Sequence, residues 1–555
     1  MNHLKQLLNQ VYSPDQTSYI LNKIEHLLND HAKNITSKPM RLTEKDVLLI
    51  TYADQVYDKS SSRLQVLKTF LDVNIKDEIR LVHLLPFYPY SSDDGFSVID
   101  YYEVNSMVGD WSDVEEFSSD YSLMFDAVIN HISQESDWVK KYLEEESAYK
   151  DYFIDADPNL DYSKVTRPRT LPLLYEFETK SGKIRNLWTT FSKDQVDLNY
   201  ENPEVFLHVL DVLLFYVEKG AKLLRLDAIG FMWKKPGTTC IHLPEAHALI
   251  QAMKIVLEKA YPDIVLITET NVPHQENISY FGDGTNEAKM VYNFTLPPLL
   301  AFSLLSQNAD KLTKWAQSLK LPSSEVCFFN FTASHDGVGL RPIQGILSDE
   351  EVKVLTDSVS ANEGFISYRT AEDGSQSPYE LNCNYMSLLR GSDGSPNAFQ
   401  RFIASQAVML SMPGLPAIYF HSLVGSENDT EGVKKTGRYR SINREKLNID
   451  HLTDELNDPS NLRNKVFSTL KQLLEVRKLQ PGFHPFGGFE FLDYGLDFFA
   501  IKRTSQDQKQ TVLAVFNFTD QPQKLAELDA GMVDLLGSEN PLVFEPYGFK
   551  WLELK

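Results

Sequence analysis

From Val47 onward the chain repeats one rhythm: a short apolar run ends in a polar or acidic residue, and a longer helical stretch follows. The runs are VLLITYAD (47–54), IRLVHLLPF (79–87), LMFDAVINH (123–131), KLLRLDAIGF (222–231), IVLITETN (264–271), VCFFNFTASHD (326–336) and LPAIYF (415–420). Short, nearly continuous apolar runs alternating with helices indicate parallel strands buried on both faces. An eighth strand is expected in the MVYNF run (290–294). The pattern predicts an α/β chain folded as a closed (β/α)8 barrel rather than an open doubly wound sheet, since no Gly-rich nucleotide loop follows any strand.

The rhythm is interrupted in two places and flanked by different material. Residues 1–45 place Leu4, Leu7, Leu8 and Val11, then Ile20, Ile24, Leu27 and Leu28, at helical spacing, which suits an extension on the outside of the barrel. Between His131 and Asp227 the chain is far longer than one helix needs, and it carries Tyr- and Asp-rich sequence and the RPRTLP turn. Residues from about 340 to 395 are rich in Ser, Asn, Asp and Gly (AEDGSQSPYELNCN) and read as a long loop excursion. The final segments FEFLDYGLDFFAIKR, QTVLAVFNFT and NPLVFEPYGFKWLEL alternate with turn residues, as a small antiparallel β domain would. The expected organisation is a helical extension (1–45), barrel parts at 46–131, 206–336 and 396–482, an inserted subdomain after the third strand (132–205), a loop-rich one after the seventh (337–395), and a C-terminal β domain (483–555).

Composition narrows the function without naming it. The 77 acidic against 54 basic residues leave a net charge of −23, the wrong sign for binding nucleic acid or an anionic membrane. Any anionic ligand must therefore be drawn in by a local cluster of Arg and Lys. The three cysteines, Cys240, Cys327 and Cys383, are widely spaced and imply neither a disulfide framework nor zinc. The N-terminus MNHLKQLLNQVYSPDQ lacks the apolar core of a signal peptide, and no apolar run approaches about 18 residues. A cytoplasmic protein is expected.

In such a barrel the C-terminal ends of the strands form the active face. Three of them end in carboxylates: Asp227, Glu269 and Asp336. One strand-end Asp is often only the cap of the next helix; three together are a different matter. Retaining glycoside chemistry needs one carboxylate to attack and a second to protonate the leaving oxygen. Arg225 lies two residues before Asp227, on the same side of its strand, where its guanidinium can hold the carboxylate ionised and oriented. His131 and His335 lie at neighbouring strand ends and can hydrogen-bond sugar hydroxyls.

At these positions DAVINH (126–131), RLDAIGF (225–231), ITETN (267–271) and FTASHD (331–336) resemble, in order, the four barrel motifs of the α-amylase-type glycoside hydrolase family, family 13. The resemblance implies Asp227 as nucleophile, Glu269 as acid/base and Asp336 as transition-state stabiliser, with Arg225, His131 and His335 around the glucosyl ring. Further stretches, among them LLPFYPYSSDDGFSVIDY (84–101), TRPRTLPL (166–173), SHDGVGLRP (334–342) and SINRE (441–445), are similar to the sucrose phosphorylase branch. That similarity implies that Asp93 and Arg444 grip the far hydroxyls, Phe96 and Phe191 form apolar walls, Arg169 meets phosphate, and Tyr379 sits on a loop facing the acceptor. It implies no metal or organic cofactor, a small glucoside and phosphate as partners, and a homodimer as one possible assembly. Glu380 in YELN stands where sucrose phosphorylases carry Gln. With the N-terminal extension and ITETNVPHQENISYFGDGTNEA (267–288), it makes the chain resemble the longer glucosylglycerate phosphorylases, which take 2-O-α-glucosylglycerate and phosphate to α-glucose 1-phosphate and glycerate. Sucrose, sucrose 6′-phosphate and glucosylglycerol remain open as donors, as do an α-glucosidase or transglucosylase and, from another class, a non-catalytic amylase-like scaffold.

The residues themselves bear on the acceptor. KKTGRYRSINR (434–444) holds five cations without one acidic residue and follows the last strand, so Arg438 and Arg440 are expected to bind an anion over the barrel mouth.

Overall fold

A computed structural model describes residues 2–35, 39–169, 171–370, 376–528 and 531–554. Thr170 of the RPRTLP turn and residues 371–375 of the second insert lie outside the described residues.

Eight parallel strands close a barrel: β1 (Leu48–Thr51), β2 (Leu81–Leu84), β3 (Ser122–Ala127), β4 (Ala221–Leu226), β5 (Val265–Thr268), β6 (Met290–Tyr292), β7 (Cys327–Phe331) and β8 (Leu415–Tyr419). Each pairs with its neighbours in chain order, and Leu48 closes the ring between Ala417 of β8 and Leu81 of β2. Apart from Ser122 and Lys222 at two strand starts, every residue of the eight strands is buried. That is why their sequences read as unbroken apolar runs rather than alternating ones.

The N-terminal extension forms helices Asn2–Leu8 and Pro14–His31. The second starts on a Ser13–Gln16 capping box with Pro14 in its first turn, and it buries Ile20 and Ile24. Its last residue, His31, sits 2.9 Å from both Asp211 and Glu218 of the barrel helix Pro203–Glu218.

The insert after β3 pairs His131–Ser133 with Gln195–Asp197, and Leu174–Glu178 with Ile184–Trp188. The insert after β7 differs from the loop expected there. It carries helix Asp349–Ala361 and a three-stranded antiparallel sheet of Val338–Gly339, Gln376–Asn382 and Phe365–Thr370. These strands are largely polar because one face lines an open cleft, so the apolar periodicity that marks a strand is weak.

The C-terminal residues build a five-stranded sheet in the order Gly488–Asp493, Phe498–Thr504, Thr511–Asn517, Phe549–Leu554 and Val533–Asp534. Two buried arginines weld it to the barrel. Arg503, from the second of these strands, donates to the carbonyls of Ser411 and Met412 at 2.9 and 2.7 Å. Arg477 donates to Leu410 at 2.9 Å and to Phe483 at 3.1 Å. Together they satisfy carbonyls at the end of helix Ala398–Ser411 that have no partner within the helix. No helix among the described residues is long and apolar enough to cross a membrane.

Candidate active site

Asp227 and Glu269 follow directly on β4 and β5, and Asp336 lies a few residues beyond β7. Arg225, on β4, is the cation they share. Its Nη1 donates to Asp227 at 2.8 Å and also bonds Asp126, while Nη2 lies 3.8 Å from Glu269. Its guanidinium sits 5.5 Å from the ring centres of both Phe96 and Tyr292. Behind it, buried His83 stands 2.6 Å from Asp126. Sequence reading missed Asp126 and His83: both lie inside apolar strands with no chemical neighbour in the local sequence.

Ala228 turns through the left-handed region (φ 48°), and its N–H donates to Glu269 at 3.2 Å. Burial raises the pKa of both Asp227 and Glu269, with Arg225 opposing and the neighbouring carboxylates adding to the rise. Arg225, expected to hold Asp227 ionised and oriented, does bond it, but in this dry setting one guanidinium serves three carboxylates and burial outweighs it. Asp336 behaves differently. Burial works to raise it, but Arg440, His335 and Arg444 outweigh that and hold it well below the usual carboxylate range.

Asp93, Asp94 and Gly95 all adopt positive φ (54°, 48° and 109°), and a Cβ on Gly95 would lie 2.6 Å from the Pro86 carbonyl oxygen. Two consecutive non-glycine residues there store strain of about 1–3 kcal/mol each, at the rim of the cavity. Asp93 accepts from Arg169 at 3.0 Å, whereas Arg444 bonds Asp94 at 2.6 Å and lies 4.0 Å from Asp93. Asp93 and Arg444, both expected around the far end of the glucosyl unit, thus lie 4.0 Å apart at the cavity rim, and Asp94 joins them as a residue that the sequence does not single out. Phe96 stacks on His335 at 4.6 Å with 5° between the planes, and Phe191 packs 5.3 Å from His131. Burial lowers both histidines, His335 to about 3, so both rings are neutral at physiological pH. These walls and the three carboxylates enclose an inner cavity of about 120 Å³.

The inner cavity opens past Asp93, Arg169, Arg341, Tyr379 and Arg440 into an outer cleft of about 1020 Å³. Arg167, Arg169, Arg341, Arg369, Arg438, Arg440, Arg444 and Lys164 line that cleft, against Asp93, Asp94 and Glu380. Of these, the sequence singles out Arg169, Arg438, Arg440 and Arg444; Arg341, Arg369 and Lys164 come from the inserts and show no local clustering. Arg440 is less free than its basic surroundings suggested. Both oxygens of buried Glu380 accept from it, at 3.0 and 2.6 Å, and it also donates to Asp336. Lys434 pairs with Glu431 at 2.6 Å. Arg438 is exposed and makes no ion pair with a described residue, while the buried Nε of Arg167 has no hydrogen-bond partner. Tyr379 sits on the strand Gln376–Asn382, not on a loop. Among the described residues there is no cluster of three or more side chains able to hold a metal.

Known proteins resolve what the geometry leaves general. Residues 75–337 match the alpha-amylase catalytic domain. A glucosylglycerate phosphorylase of Escherichia coli is 42% identical over 98% of this chain and 99% of its own, and one of Spirochaeta thermophila is 44% identical over 93% and 89%. Among solved structures, sucrose 6F-phosphate phosphorylase from Thermoanaerobacter thermosaccharolyticum superposes with a TM-score of 0.74 at 25% identity, covering 86% of this chain and 95% of that one. Similarity of this depth along the whole chain places the protein in the α-amylase family of (β/α)8-barrel enzymes, in the group that contains the glucosylglycerate phosphorylases.

Proposed function

We propose that the protein is a retaining α-glucoside phosphorylase that moves a glucosyl unit from 2-O-α-glucosylglycerate to phosphate. The observation that carries this reading is the junction of a small carboxylate-lined cavity with a cleft holding seven arginines, in a protein of net charge −23. Water or a neutral sugar as acceptor would need no such cluster; phosphate and glycerate are both anions.

In the first half-reaction Asp227 attacks C1 and the bond from C1 to the glycerate oxygen breaks, with Glu269 giving its proton to that oxygen. Glu269 is the group suited to carry the acid proton, because Arg225 donates to Asp227 at 2.8 Å but stands 3.8 Å from Glu269. Asp336, held ionised by its arginines, stabilises the positive charge that develops on the sugar ring. In the second half a phosphate oxygen attacks C1 of the β-glucosyl-enzyme from the vacated side. The Asp227 ester bond breaks, and α-glucose 1-phosphate leaves with retention. Phosphate arrives already anionic, so it needs little base assistance from Glu269. Arg169 and Arg438 guide it, and Arg440 joins as Glu380 yields its fork. Asp93, Phe96, His131, Phe191, His335 and Arg444 hold the glucosyl ring, and Tyr379 faces the acceptor.

The test is to incubate the protein with glucosylglycerate, glucosylglycerol and sucrose side by side, with and without phosphate, and to assay glucose 1-phosphate and glucose. Phosphate-dependent glucose 1-phosphate, fastest from glucosylglycerate, is expected. Glucose release that is comparable without phosphate would overturn the phosphorylase reading, and faster turnover of sucrose would overturn the donor.

A further inference from the structure

Beneath the glucosyl cavity lies a buried cation that the mechanism above does not use. Lys234 follows the short helical turn Ile229–Phe231 after β4, and its side chain is 2% exposed. Its ammonium bonds Asp197 at 2.6 Å and the Asn130 carbonyl oxygen at 2.8 Å. Asp197, fully buried at the end of Gln195–Asp197 in the first insert, also accepts from the Thr190 N–H at 2.7 Å, the Thr190 hydroxyl at 2.6 Å and the Asn130 amide at 3.1 Å. One ammonium thus ties the insert to two barrel loops.

The chemistry of this cluster fixes more than position. An ammonium only donates, so it selects the oxygen end of the Asn130 side chain. The amide nitrogen must then point the other way, and it stands 3.2 Å from Nδ1 of His131. That nitrogen also only donates, so Nδ1 must be the unprotonated acceptor and Nε2 must carry the hydrogen. Nε2 accordingly lies 2.9 Å from the Phe96 carbonyl oxygen, an acceptor; the Gln195 amide nitrogen, 3.3 Å from Nε2, donates to that same carbonyl at 3.0 Å. Thr190, held by the same carboxylate, immediately precedes Phe191, whose ring packs against His131.

We infer that Lys234 and Asp197 are positioning residues that set the tautomer of His131 through the orientation of the Asn130 amide, and so lock its Nε2–H onto the Phe96 carbonyl oxygen and fix the imidazole plane in the wall of the glucosyl cavity. The inference rests on the reading of His131 as part of the glucosyl subsite. Its tautomer half stands apart from the reaction. Removing the ammonium leaves the Asn130 oxygen without its donor and Asp197 without its cation, so the amide keeps only its contact with Asp197 to orient it.

Asn130→Asp is the informative variant: it keeps the shape and the contact with Lys234, gives up the amide's bond to Asp197, and presents an oxygen to Nδ1, which favours the opposite tautomer. With histidine labelled by ¹⁵N, the resting wild-type protein should show His131 protonated at Nε2, and the variant at Nδ1. The KM for glucose 1-phosphate in the synthetic direction should rise about 3–10-fold, the range expected when one neutral hydrogen bond is lost, with kcat less affected. Lys234→Met should raise the same KM, and Lys234→Arg should restore part of it. An unchanged tautomer in Asn130→Asp would overturn the inference whatever reaction the enzyme catalyses. An unchanged KM in a folded Lys234→Met protein would do the same, since a merely structural lysine would lower the melting temperature and leave KM alone. Should Lys234→Met fail to fold, Asn130→Asp decides alone.

Discussion

The inner cavity and the outer cleft share a wall, yet they are built on opposite plans. The floor of the inner one is assembled from strand ends held by the barrel's own hydrogen-bond ladder, and there the buried guanidinium of Arg225 is shared among Asp126, Asp227 and Glu269. The outer one is assembled from the two inserts and the segment after β8, and there cations outnumber the carboxylates. Bond-breaking groups need positions fixed to a fraction of an ångström, which strands provide. Recognition of a small anion tolerates more variation and can be placed on loops and hairpins. The division teaches that glucosyl transfer and acceptor choice are separable in this molecule, and mutations should separate them.

The largest break is expected at Asp227. Asp227→Asn should lower kcat/KM by about 10⁴-fold or more with every donor, since no glucosyl-enzyme can form. Melting should be unimpaired, because the variant removes a buried charge and keeps the shape. Glu269→Gln should divide the donors. Turnover of glucosylglycerate should fall about 10³-fold, while an aryl glucoside whose leaving group needs no proton loses about 10-fold at most. Equal losses for the two donors would show that Glu269 is not the acid. Arg169→Ala reaches into the cleft and should raise the KM for phosphate about 10–100-fold, with aryl glucoside hydrolysis kept within a few-fold. If both fell together, cleft and cavity would not be separable. The smallest effect is ionic. Raising NaCl from about 0.05 to about 0.5 M should weaken phosphate use by a few-fold and leave hydrolysis of the neutral donor nearly unchanged.

The same division explains what could be read from the sequence. Asp227, Glu269 and Arg225 each sit within a short motif at a strand end, where local order reports spatial order. The barrel was legible for the same reason: buried parallel strands have no polar face to confuse the apolar signal. The cleft was legible only as an excess of arginine. Arg440 finds Glu380 60 residues away in the chain, and Arg169 meets Asp93 across 76, so no local pattern could show which guanidinium is engaged. The hairpin carrying Tyr379 was read as a loop because its strands are polar on the cleft side. Asp94 escaped notice because only the left-handed turn decides which of two adjacent aspartates meets Arg444.

The two guanidiniums that end helix Ala398–Ser411 carry a consequence for anyone wishing to shorten this enzyme. Arg477 and Arg503 are buried and bond backbone carbonyls instead of carboxylates, and burial pulls their pKa values down to about 10 and about 9. Removing the terminal sheet takes Arg503 away, leaves the carbonyls of Ser411 and Met412 without their guanidinium donor, and should open the floor beside β8 to water. A truncated barrel should therefore aggregate instead of working as a minimal catalyst. The sheet is an organ of the catalytic body, not luggage, and grafting or recombining barrels within this family should carry it along.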